Sequence, residues 1–211
     1  INYKGITKRG TWLLDELIKR KVWIDLTHGS DLYIAEAMKK VKAAGQPYLF
    51  THTALRKYYK AERGLAQWMI DEIKSHEGMV GLVPSEEMII DTKFDDKLCP
   101  ESCAPCKGGV RSLVAQFREL AQQIGSDNVA LGQDFNGGIP HLRPDSCNKT
   151  TTIDEKPGYY LFSQDGVLVK KGLEIASNIE LFNQNSTKTF LKLWTKVRNS
   201  TKSVVSLNRN L

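Results

Sequence analysis

Two short apolar runs constrain this chain more than any other feature, because each ends on a histidine and a helix-length segment separates them. The first is Val22-Trp23-Ile24-Asp25-Leu26-Thr27-His28 and the second is Pro47-Tyr48-Leu49-Phe50-Thr51-His52. Their length and their β-branched and aromatic content are those of buried parallel strands. Asp31 to Ala44, between them, has helical spacing, so the unit reads as β-α-β. Both strands of such a unit run the same way, and their C-terminal ends open onto one face. The spacing therefore predicts that His28 and His52 stand side by side at one mouth.

The rest of the chain repeats the alternation. Thr7 to Lys21 places Trp12, Leu13, Leu14, Leu17 and Ile18 at helical spacing behind Thr7 as N-cap. Ser30 or Asp31 caps the next helix, and Gly45 stops it. After the His52 strand come a loop with Tyr58 and Tyr59, a helix from about Glu62 to His76, and a third strand, Gly78 to Pro84. Glu86 to Gly108 is too long for a plain turn between strand and helix and holds Cys99, Cys103 and Cys106. A helix over Val110 to Ile124 leads to a fourth strand, Asn128 to Phe135, which ends on Asp134. Asn136 to Lys171 reads as a second long loop, with Cys147. Helices near Leu173 to Phe182 and Thr187 to Asn199 close one domain, 1–201, and 202–211 reads as a tail.

Strict alternation of this kind is the signature of an α/β fold with parallel strands. His28, His52 and Asp134 lie just past three of the four strand ends, the side where barrels and open sheets carry their chemistry. A complete eight-unit barrel needs about 250 residues. These 211 residues supply only four units and start on a helix.

Composition narrows the partners. The net charge of +6 is spread over helix surfaces, as at Lys39, Lys40 and Lys42, and forms no dense basic block, so nucleic acid is not expected. No apolar run approaches the roughly 18 residues that span a bilayer. Four cysteines, three of them within eight positions, fit an oxidising compartment: periplasm, cell surface or secretion.

Two imidazoles and a carboxylate converging at strand ends suit zinc or a similar divalent ion. His76, at a helix end before a glycine, reads as a residue interacting with the helix dipole. His141 reads as an exposed loop histidine. Asp25, inside its strand, reads as structural and aimed away from the neighbours of His28.

Three segments carry a family resemblance: Ile24-Asp25-Leu26-Thr27-His28-Gly29-Ser30, Phe50-Thr51-His52-Thr53 and Leu131-Gly132-Gln133-Asp134-Phe135-Asn136-Gly137. They resemble successive signatures of the renal, or membrane, dipeptidase family. Gly5-Ile6-Thr7 through Arg20 is similar to the helix before the first signature, and Thr189-Phe190-Leu191-Lys192-Leu193-Trp194 to the family's closing helix. The match spans nearly the whole chain but only the second half of a family member. It implies a (β/α)8 TIM barrel of the metal-dependent hydrolase type, of which this chain supplies roughly the second half. It also implies two zinc ions per complete barrel, bridged by a glutamate and sharing a hydroxide, and hydrolysis of dipeptides.

By position, the resemblance makes His28 and His52 the imidazole ligands of one zinc. Asp134 becomes a ligand of the other zinc and a proton shuttle, and Arg63 the arginine that holds the free carboxylate of a dipeptide or small amide. A guanidinium suits that task because it binds carboxylate bidentately and keeps its charge. Where the family usually has a second aspartate this chain has Asn136. The family's His-x-Asp pair, bridging glutamate and a further histidine belong to the other half, so the N-terminal half of the barrel is an expected partner, in the same or a separate chain. Homodimer formation stays open.

Two rival readings stand beside this one. An altered dipeptidase-like barrel would bind or tailor a peptide-derived small molecule. Cys99-x3-Cys103-x2-Cys106 also matches a spacing that holds iron-sulfur clusters, and with Cys147 could form a four-thiolate zinc site. In radical enzymes that motif follows the first strand, whereas here it interrupts a late loop. Two disulfides of undetermined pairing, tying the long loops, are the preferred reading.

Overall fold

The computed structural model describes residues 5–92, 110–132, 134 and 188–195. Helix α1 (Lys8–Lys19) begins at Thr7, whose hydroxyl accepts from the Gly10 backbone N–H at 3.0 Å. Helix α2 (Asp31–Ala43) begins at Ser30, which accepts from the Tyr33 N–H at 3.2 Å. Each cap satisfies a donor that the first turn leaves open, worth about 1 kcal/mol. Gly45, at φ +65°, supplies the left-handed residue beyond α2. There follow β1 (Tyr48–Thr53), α3 (Gln67–Ser75), β2 (Gly78–Leu82), the short α4 (Glu86–Ile89), α5 (Val110–Ile124) and β3 (Val129–Leu131). A further helix spans 188–195.

The three strands are parallel and lie in the order β1-β2-β3. The order follows the chain without reversal, as in a barrel, whereas a doubly wound sheet reverses at its switch point. One apolar core joins the sheet to the helices: Phe50, Val80 and Val129 from the strands, and Leu26 from the run before α2, meet Met38, Met69, Leu120 and Phe117. Burial alternates along the first two runs. Ile24, Leu26, Tyr48 and Phe50 are buried, while Asp25 and Thr51 are exposed on the opposite side.

The first run departs from expectation. Instead of a strand over Val22 to His28 there is a single parallel bridge, Asp25 to Leu49, with the Leu26 N–H donating to the Leu49 carbonyl at 2.8 Å. Side chains take the place of the missing ladder. The Trp23 indole N–H donates to the Pro47 carbonyl at 2.9 Å, and the Thr51 N–H donates to Asp25 Oδ1 at 3.1 Å and Thr27 Oγ1 at 2.9 Å. With the β1 amide already satisfied by side chains, no backbone pairing remains to be made there.

Helix α3 also starts later than Glu62. Arg56 explains why: its Nε donates to the Gly64 carbonyl at 2.9 Å and its Nη2 to the Glu62 carbonyl, while Leu55 and Leu65 pair through one bridge. Residues 62–66 are thereby held as loop. In the helix at 188–195, Phe190 stacks on Trp23, with ring centroids 5.6 Å apart. Among the described residues no helix is long and apolar enough to cross a membrane. The four cysteines, Asn136, His141, the expected helix near Leu173 to Phe182 and the 202–211 tail lie outside the described residues.

Candidate metal centre

His52 occupies an irregular place in β1. Phe50 pairs with Val80 and Thr53 with Leu82, so three steps on β1 match two on β2, a bulge of one residue. In an undisturbed pleat His52 would share the buried side of Tyr48 and Phe50. The bulge turns it to the strand end instead. Two glycines make room: a Cβ on Gly81 or on Gly132 would stand 2.0 Å from the Thr51 carbonyl oxygen. The same problem arises at His28, which in sequence is in phase with buried Ile24 and Leu26. It is solved there by a left-handed backbone, φ +66°. Asp134 is likewise left-handed, φ +45°. Such conformations cost of order 1–3 kcal/mol each in non-glycine residues and concentrate at functional sites.

These distortions bring three donors together. His28 Nε2 lies 2.8 Å from His52 Nε2, and His52 Nε2 lies 3.6 Å from Asp134 Oδ2. All three ligand atoms fall within 4.8 Å of one another. Two nitrogens and a carboxylate oxygen around one point are a donor set that zinc accepts, with bond lengths of about 2.0–2.2 Å. The residues present therefore fit a divalent ion.

The electrostatics suit the same use. Burial, then the positive charge of Arg63 and the neighbouring His52 ring, hold the His28 imidazole below its usual pKa, against a smaller opposing pull from Asp134 and Asp25. A neutral ring keeps the lone pair a metal needs. Arg63 is thus near enough for its charge to act on His28. Its Nη2 lies 3.9 Å from Met88 Sδ, and among the described residues it has no carboxylate partner. Glu62 Oε1 accepts from the Asp31 N–H at 3.1 Å. Arg56 grips Asp31 with two bonds of 2.6 and 2.7 Å, fixing the loop that carries Arg63 to the start of α2.

Asp25 corrects the sequence reading. Its carboxylate does not point away from the site: Oδ1 accepts from the Thr27 N–H and hydroxyl at 3.0 and 2.7 Å, and Oδ2 from the Thr51 hydroxyl at 2.5 Å. Although Asp25 keeps solvent access, the protein around its carboxyl partly desolvates it and pushes its pKa up, but the hydrogen bonds from Thr51 and Thr27 outweigh this and leave it below the usual carboxylate value. The signal available in the sequence was a threonine directly before each histidine, Thr27-His28 and Thr51-His52. His76 stands apart. It caps α3, bonds the Gln46 carbonyl at 2.8 Å and packs edge-on against Tyr48, which begins β1.

Comparison with known proteins supplies the lineage. Residues 2–149 match the model of the membrane dipeptidase family, peptidase family M19. Dipeptidase tcpJ of Claviceps purpurea (strain 20.1) is 23% identical over 141 residues, covering 67% of this chain and 30% of that protein. Dipeptidase 3 of Mus musculus is 21% identical over 189 residues, covering 88% of this chain and 35% of its own length. A metallo peptidase from Rhodobacter sphaeroides, solved with a phosphinate mimic of the dipeptide L-Ala-D-Ala, superposes with a TM-score of 0.65 at 15% identity, over 92% of this chain and 48% of that one. The chain therefore spans about a third of the length of the curated relatives it matches. The shared architecture is the (β/α)8 barrel type, of which these residues form a part. With more than half of its length under the family model, and with a parallel sheet that opens two histidines and an aspartate at one end, the chain belongs to the membrane dipeptidase family, peptidase family M19.

Proposed function

We propose that this chain forms the C-terminal part of a zinc-dependent dipeptidase, with His28, His52 and Asp134 contributing to a two-metal site. The observation that carries the proposal is the meeting of those three side chains within 4.8 Å, with the Arg63 charge acting on the same place. His28 and His52 would hold one ion through their Nε2 atoms, and Asp134 would hold the second. When bound, zinc would lower the pKa of a water, supplying a nucleophile at neutral pH, and would polarise the scissile carbonyl. Arg63 binds the free carboxylate of the dipeptide by its two-pronged fork, which sets the amide in register with the metals. Asp134 carries a proton to the departing amine. The other ligands come from the N-terminal half of the barrel, whose strands would also cover the exposed side of the sheet at Asp25 and Thr51. The Rhodobacter sphaeroides structure, liganded with a dipeptide mimic, supports the substrate class.

Metal analysis of the intact protein together with dipeptide turnover tests this. Zinc bound in proportion to active protein, and lost together with turnover in His52→Ala, is the expected result. A folded protein that turns over dipeptides without metal, or a His52→Ala variant as active as its parent, would refute it. A folded, metal-free and inactive protein would favour the altered barrel that only binds its ligand.

A further inference from the structure

The hydroxyl of Thr51 lies between two groups that cannot both take its single proton. Asp25 Oδ2 is 2.5 Å away on one side and His52 Nδ1 is 2.9 Å away on the other. A carboxylate only accepts, so the Thr51 proton points to Asp25, and the hydroxyl lone pair faces His52. His52 Nδ1 must then carry a proton and donate it. Thr27 cannot replace Thr51 in this role, because its own hydroxyl bonds Asp25 Oδ1 at 2.7 Å.

We propose that Asp25, acting through Thr51, is a positioning residue that locks His52 in the tautomer with Nδ1 protonated, leaving Nε2 bare toward His28 and Asp134. The inference rests on the metal-centre reading for its purpose, but its geometry stands without it. A metal-ligating histidine commonly has its second nitrogen fixed by a carboxylate or carbonyl, and losing that partner typically costs 10–100-fold in metal affinity. Here the carboxylate reaches the ring through one hydroxyl. Asp25 Oδ1 also collects the backbone N–H of Thr27 and of Thr51, so the group that orients His52 ties the two histidine-bearing runs together.

The proposal makes a directional prediction for Asp25→Asn. The three donors at the Oδ1 position keep the amide oxygen there, which places the amide NH2 against Thr51 Oγ1. The Thr51 hydroxyl must then accept from Asn and turn its proton toward His52 Nδ1. That reverses the tautomer and blocks Nε2 with hydrogen.

The test is ¹⁵N NMR of the histidine rings in the metal-free intact protein, paired with zinc affinity from chelator competition. Expected in the parent is an Nδ1-protonated His52; in Asp25→Asn, the Nε2-protonated form with affinity lower by about 10–100-fold. Thr51→Val should lose the ring's partner and weaken zinc to a similar degree. Thr51→Ser, which keeps the hydroxyl, should restore both readouts. If Asp25→Asn does not fold, the Thr51→Val and Thr51→Ser pair decides. An unchanged His52 tautomer and unchanged zinc affinity in both Asp25→Asn and Thr51→Val would overturn the inference. A parent protein that binds no zinc but shows the predicted tautomer and its reversal would refute the function proposed above and leave this relay standing.

Discussion

Replacing Gly81 by alanine tests whether the β1 bulge is what aims His52. The new Cβ would stand 2.0 Å from the Thr51 carbonyl oxygen and 2.9 Å from Gly132 Cα. Carbon and oxygen in contact need about 3.3 Å, so β1 must retreat by about 1.3 Å at the residue before His52. Both obstacles are backbone, so no side-chain rotation relieves them. Overpacking costs about 1–3 kcal/mol, and a clash with two backbone atoms falls at the upper end of that range; the stiffer unfolded chain of an alanine variant returns about 0.4–1 kcal/mol. A net loss of about 2 kcal/mol is expected, which in a chain of this size lowers the melting temperature by roughly 4–8 °C. Urea unfolding gives the stability and chelator competition the zinc affinity; both should fall together. Gly45→Ala is the control. It meets nothing within 4 Å and is strained only by its φ of +65°, so it should cost about 1–2 kcal/mol and leave zinc affinity alone. Gly81→Ala within about 0.5 kcal/mol of the parent, with unchanged zinc binding, would refute the reasoning.

Other predictions follow from single contacts. Gln116, fully buried, accepts from the Leu55 N–H at 2.9 Å and donates to Thr92 Oγ1 at 2.7 Å. Gln116→Leu should lower the unfolding free energy by about 1–3 kcal/mol through the stranded Leu55 amide, and equal urea midpoints would contradict this. Tyr48 is pushed up to about 12 by burial and then by the Glu72 carboxylate. The unfolded phenol titrates near 10, so its stabilisation is complete below about pH 10 and is lost as pH rises toward 12. Phenolate absorbance and alkaline unfolding should show that loss in the parent and not in Tyr48→Phe. Arg56→Lys keeps charge but not the fork to Asp31, so it should loosen the Arg63 loop and raise KM for dipeptides more than it lowers kcat. An unchanged KM would separate Arg56 from Arg63.

What the sequence by itself determined is local and periodic. Thr7 and Ser30 as caps, Gly45 as a stop, and the apolar runs that became β1, β2 and β3 were legible because caps, left-handed glycines and strand burial act within a few residues. The order of strand ends likewise put His28, His52 and Asp134 on one list. Parity along the strands argued against the site, since both histidines fall in phase with buried residues. Only the tertiary structure decided that they leave that phase. The bulge in β1 needs two glycines from elsewhere in the chain, Gly81 in β2 and Gly132 just past β3, and the hold on His52 needs a carboxylate from a segment whose own ladder is reduced to one bridge. Those partners are 26 to 81 positions away from Thr51 in sequence, and an interaction across such a distance has no periodicity to announce it. The helix expected from Glu62 failed for the same reason: Arg56, reaching across the loop, bonds the carbonyls of Glu62 and Gly64 that a helix would have used.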